Sequence, residues 1–139
     1  MSEVDQAELM LPVLADICWQ QGNHAEAEGL ALRRIALLET KFGPDFPGLA
    51  RSLFILGMIA KSKGNLREGE ALLARSWNLQ RQALAAEHPD RAECRREYAA
   101  LLRDLGRSAE AAEVDADPDA LTHRAVDERT MSASNQPQR

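Results

Sequence analysis

Apolar positions along this chain fall into runs with helical spacing, and each run is closed by a glycine. Gly22, Gly64 and Gly106 stand forty-two residues apart both times, within LADICWQQGNHAEAE, LGMIAKSKGNLREGE and YAALLRDLGRSAEAA. An apolar or small pair precedes each glycine by seven to eight residues: Leu14-Ala15, Leu56-Gly57 and Tyr98-Ala99. Glu26-Ala27, Glu68-Gly69 and Glu110-Ala111 follow in step, and Pro47 and Pro89 repeat with the same period between the units. Turn and helix signals therefore share one register.

A period of this length is the mark of an array whose units bury their faces only against one another. Each unit predicts two helices. One runs up to the glycine, which supplies the left-handed conformation a tight reversal needs, and one runs on to the proline turn. The spacing predicts helices from Met10 or Leu11 to near Gln21, His24 to Lys41, Leu49 to Lys63, Leu66 to Ala86 and Ala92 to Leu105. A sixth is expected to be capped by Ser108 and stopped early by Asp115-Ala116-Asp117-Pro118, where the counterparts of Leu73 and Trp77 are Asp115 and Asp119. Small residues at Ala15, Gly57 and Ala99, and at Ala27, Gly69 and Ala111, leave room for the paired helices to approach closely. The expected organisation is a flexible start over 1–8, a repeat domain over 9–117 and an acidic, largely disordered tail over 118–139 with one short helix at most.

The Leu-Ala or Leu-Gly pair, the mid-unit glycine, the Glu-Ala that follows and the closing proline resemble the tetratricopeptide repeat. The forty-two-residue form found in kinesin light chains is the nearer likeness, with turns Phe42-Gly43-Pro44-Asp45-Phe46-Pro47 and Leu84-Ala85-Ala86-Glu87-His88-Pro89. The resemblance spans roughly Leu9 to Val114. It implies an all-α, right-handed superhelical solenoid of antiparallel helix pairs, with two full repeats and a truncated third. It further implies a non-catalytic scaffold that holds a protein or peptide on its concave side.

Composition narrows what such a surface does. The net charge of −5 argues against a general nucleic-acid binder, because phosphate neutralisation needs a basic face. Charge is uneven, however: residues 49–107 carry eleven basic and seven acidic side chains, against three and eight over 1–48 and three and seven over 108–139. No glycine run has the phosphate-loop pattern, and Cys18 and Cys94, seventy-six residues apart, lack metal-ligand spacing. His24, His88 and His123 are equally isolated, so no metal, cofactor or catalytic residue is expected. An acidic start broken by Pro12 and Asp16 does not read as a signal peptide, and no apolar run reaches membrane-spanning length; a cytoplasmic chain is expected.

In the resembled family the first helix of each unit lines the groove. By the repeat phase these stripes are Leu9, Pro12, Asp16 and Trp19; Arg51, Phe54, Met58 and Lys61; and Glu93, Arg96, Ala100 and Arg103. The candidate partner-binding residues are Trp19, Arg51, Phe54, Met58, Lys61, Arg96 and Arg103. Phe54 and Met58 read as an apolar seat inside a basic rim, suited to an acidic peptide with one apolar anchor. Packing between neighbouring helices accounts for the same two residues equally well. The places where kinesin-light-chain-type grooves carry asparagine hold Pro12-Val13, Phe54-Ile55 and Arg96-Glu97 instead, which departs from backbone capture by that device. Arg34, where a small residue usually packs, predicts a looser contact. Self-association through end faces, and service as a regulatory accessory of an enzyme, remain alternative readings.

Overall fold

A computed structural model describes residues 14–117. Within them α1 occupies 14–20, followed by α2 (His24–Phe42), a single 3-10 turn (Pro47–Leu49), α3 (Ala50–Ser62), α4 (Leu66–Ala83), α5 (Pro89–Asp104) and α6 (Ser108–Ala116). No strand occurs among the described residues. From α2 onward each helix packs against the next in sequence, and α3 also meets α5, so the first helices of these successive units lie side by side.

The three glycine turns are built alike, atom for atom. Asn23 N–H donates to Cys18 O at 2.8 Å, Asn65 N–H to Ala60 O at 2.9 Å and Arg107 N–H to Leu102 O at 2.8 Å. Each bond closes the six-to-one ring that ends a helix and satisfies a carbonyl otherwise left without a donor. That ring needs a left-handed residue inside it, and Gly22, Gly64 and Gly106 have φ of 77°, 83° and 78°. Open space surrounds Gly64, so its constraint is purely conformational. Gly64→Ala is therefore expected to cost about 1–2 kcal/mol, measured by urea denaturation. A neutral outcome would mean that this turn tolerates another geometry.

Helix starts obey the proline phase. Pro89 is the first residue of α5, where its missing N–H costs nothing, and Asp90 N–H donates to His88 Nδ1 at 3.1 Å. The helix consequently begins three residues before the predicted Ala92. The preceding α4 stops at Ala83 rather than Ala86, because Leu84 is already extended. Ser108 is the first residue of α6 and provides no side-chain cap.

The core sits on α3, whose residues Ser52 to Gly57 are all buried. Such a helix is covered on every side, and the reason lies partly in its glycine. A Cβ on Gly57 would stand 2.8 Å from Leu73 Cγ and 3.4 Å from Gly69 O, so α3 and α4 meet nearly backbone to backbone. Trp77, predicted as interface core, is buried against the same cluster. Arg34 is better accommodated than expected: its Nη1 donates to Gly48 O at 2.6 Å and Ser52 Oγ at 3.3 Å, tying α2 to the turn and to α3.

Candidate functional site

Three first helices, α1, α3 and α5, present the face on which the sequence places its candidates, and one side chain links them. Arg51 on α3 donates from Nε to Asp16 Oδ1 on α1 at 3.0 Å and from Nη1 to Glu93 Oε2 on α5 at 3.2 Å. Its guanidinium also lies 5.5 Å from the centroid of Trp19 and 5.0 Å from that of Phe54. Burial works against its charge, but Asp16 and Glu93 more than compensate, so Arg51 titrates above the ordinary arginine value. It is a fixed cation between two carboxylates.

Phe54 does not offer its ring to a ligand. The side chain is 1% exposed and stands edge-on beneath Trp19, with centroids 5.6 Å apart and planes at 87°. The seat expected at this position is filled from above by Trp19 and Arg51, so the apolar surface shifts to Trp19 and Met58. Both are half-buried and pack against the same core.

The basic rim is likewise interleaved with acid. Lys61 Nζ lies 3.7 Å from Glu97 Oε2, which brings α3 to α5 a second time. Arg103 pairs with Asp115 on α6, a contact that the expected row with Trp19 and Lys61 does not include. Arg96 is exposed and has no ion-pair partner among the described residues. The structure thus gathers Trp19, Arg51, Phe54 and Met58 into one contiguous cluster, and it gives Lys61, Arg96 and Arg103 separate surroundings. Asp16, Glu93 and Glu97 complete the site but were not among the partner-binding candidates. A signal existed for one of them: Arg51 and Glu93 are opposite charges at the same phase of adjacent units.

Reactive chemistry has little foothold here. Burial pushes the Cys94 thiol up to about 12, outweighing the hydrogen bond to Ser76 that favours the thiolate. The thiol of Cys18 is also raised, first by burial and then by Glu26. Both thiols are thereby held in their unreactive form near neutral pH. Among the described residues no three His, Cys, Asp or Glu side chains cluster as a metal site. No described helix is long and apolar enough to cross a membrane.

The acidic tail is outside the described residues beyond its root, and that root is built into the domain. Asp117, at the end of α6, has φ 46° and is buried. Its Oδ2 accepts from Arg91 Nε at 3.1 Å, its Oδ1 accepts from Arg91 Nη2, and Arg95 lies 3.9 Å away. Nη1 of Arg91 donates to Leu84 O at 2.7 Å, so this pair fastens the end of α4, the start of α5 and the end of α6.

Residues 49–90, which run from the 3-10 turn through α3 and α4 into α5, match the family model described as tetratricopeptide repeat. Two solved structures from Podosopora anserina share the fold: the TPR-like repeats of a putative kinesin light chain, and a glutamine-to-methionine variant of them. The first is 24% identical with a TM-score of 0.63. The second is 24% identical with a TM-score of 0.64. Either alignment covers 77% of this chain, and the chain spans about half the length of both structures, 51% and 50%. None of the curated proteins matches the chain. One unit, residues 49–90, thus matches the tetratricopeptide repeat, its two neighbours are cut to the same turn geometry, and the helical stack shares the fold of the kinesin light chain TPR-like repeats.

Proposed function

We propose that the chain is a non-catalytic interaction module that holds a partner protein or peptide along the face of α1, α3 and α5. The supporting observation is the bridge from Asp16 through Arg51 to Glu93, which locks three helices together so that their outer side chains form one surface. Trp19 and Met58 supply a half-buried apolar centre. Arg96 is open to a carboxylate, Arg103 exchanges its own cheaply because an exposed ion pair contributes only about 0–1 kcal/mol, and the half-buried Lys61 is held loosely, 3.7 Å from Glu97. Arg51 is committed to its two acids. The fitting partner is therefore an apolar anchor flanked by one or two carboxylates, bound more weakly as salt rises.

The test is affinity capture from the chain's own cell extract with two matched variants. Lys61→Glu with Arg96→Glu alters the proposed face, and Arg33→Glu with Arg67→Glu makes the same charge change on exposed positions of the second helices. A dominant partner should fall by about ten-fold or more in the first variant only, a loss of roughly 1.4 kcal/mol. Equal recovery with both variants would remove this face from consideration.

Exposed Leu14, Ile17 and Leu32 on the first helix pair favour a second reading, self-association through the end of the array. Sedimentation velocity across a concentration series decides it: a monomer throughout rules out assembly by this route.

A further inference from the structure

The outer face of α1 carries apolar side chains that the same repeat phase buries further along the chain. Leu14 and Ile17 are 39% and 43% exposed, whereas their counterparts Leu56 and Ile59 on α3 are 8% and 2% exposed. Leu101 on α5, in phase with Ile17 and Ile59, is 0% exposed. The difference lies in what stands beside each helix. Leu56 and Ile59 line a cleft together with Leu32 of α2 and Leu72 of α4. Leu101 lies against α4, where a Cβ on Gly69 would be 3.5 Å from its Cδ2. The second helix of the preceding unit supplies cover in both cases, and α1 has no such helix before it among the described residues.

The far end of the described array is built differently. α6 exposes Glu113 and Asp115, and Asp115 occupies the phase at which α4 buries Leu73. One end is thus apolar and the other polar, so the two ends do not match each other. Nor does charge hold two apolar ends apart. Of the carboxylates on α1 and in the first two turns of α2, Asp16 accepts from Arg51, Glu26 accepts from Asn23 Nδ2 at 2.8 Å, and Glu28 accepts from Lys63 at 2.7 Å.

We propose that this face joins two copies of the chain, packed α1 to α1 about a two-fold axis so that Leu14 and Ile17 of each copy are covered by the other. Such a dimer rests on the reading of self-association through this end, and adds to it a symmetry and a stoichiometry. A face that pairs with itself is complete after two copies, whereas an end-to-tail contact continues into a filament. The contact is small, so the dimer is weak and dissociates on dilution. Leu32 is exposed as well, but it lines the cleft between α2 and α4 and takes no part.

The experiment is sedimentation velocity of the whole chain and its variants from low-micromolar to millimolar concentration. The unaltered chain should pass from monomer to dimer and stop there. Ile17→Glu and Ile17→Lys should each weaken the dimer about ten-fold or more. An equimolar mixture of the two should recover it, because opposite charges then meet across the axis. Leu32→Glu should leave the dimer unchanged. Circular dichroism shows whether the variants keep their helices, and Leu14→Glu with Leu14→Lys serves as the pair where those at Ile17 do not. A monomer at every concentration overturns the dimer together with the reading it rests on. Growth beyond two copies, a dimer insensitive to charge at Ile17, or a mixture no tighter than either variant alone overturns the two-fold packing and leaves self-association by another route standing.

Discussion

Phe54→Ala is expected to lower the stability of the domain by about 3–5 kcal/mol. The ring is fully enclosed, carries Trp19 edge-on and lies beneath the Arg51 guanidinium, so truncation empties a space bordered by three helices. Relaxation into that space is restricted, because Arg51 is held at both ends by Asp16 and Glu93. A domain of this size has a total stability of only about 5–15 kcal/mol, and each kcal/mol lost lowers the melting temperature by roughly 4–8 °C. Guanidinium denaturation followed by tryptophan fluorescence should show the loss, together with an altered folded-state signal from Trp19. A variant less than about 1 kcal/mol weaker would contradict the packing described. The result also governs how binding data are read: partner loss in Phe54→Ala reports unfolding, and only surface changes such as Lys61→Glu report the face itself.

Phe54 shows where a sequence stops being informative. The repeat period, the three turns and the small-residue contacts are legible because each rests on local chemistry: a left-handed glycine, a missing Cβ, a proline at a helix start. The family resemblance and the repeat phase together place Phe54 on the groove side, where a ligand seat and packing between helices fit it equally, and phase fixes a direction on the helix but not the width of the arc its neighbours cover. α3 is the central helix and is covered almost entirely, so the groove-facing position lies under Trp19. The basic rim misleads for a related reason. Lysines and arginines counted along one helix say nothing of Asp16, Glu93 and Glu97 on the helices beside it. Arg34 has the opposite fate: it looks misplaced in the repeat, yet it binds a turn carbonyl that the phase alone does not reveal.

The second large effect concerns the buried pair that joins α6 to the junction of α4 and α5. Asp117→Ala is expected to cost about 3–5 kcal/mol, because the Arg91 charge then stays buried without its counter-ion. Arg91 is 2% exposed, lies 5.6 Å over the Trp77 ring and donates to Leu84 O, so it has no route to water that keeps those contacts. Asp117→Asn separates charge from shape: asparagine tolerates the left-handed φ of 46°, and what remains of the loss belongs to the ion pair. Replacing both partners should recover part of the loss, since Arg91→Met with Asp117→Ala removes the stranded charge and keeps an apolar body against Trp77. The two single effects should exceed that of the double variant by about 0.5–3 kcal/mol, read from chemical denaturation of all four proteins. Strict additivity would mean that the two side chains do not sense one another. The expected coupling would instead make Asp117 the residue that holds α6 in place, because it fastens α6 to both helices of the unit junction through a single guanidinium.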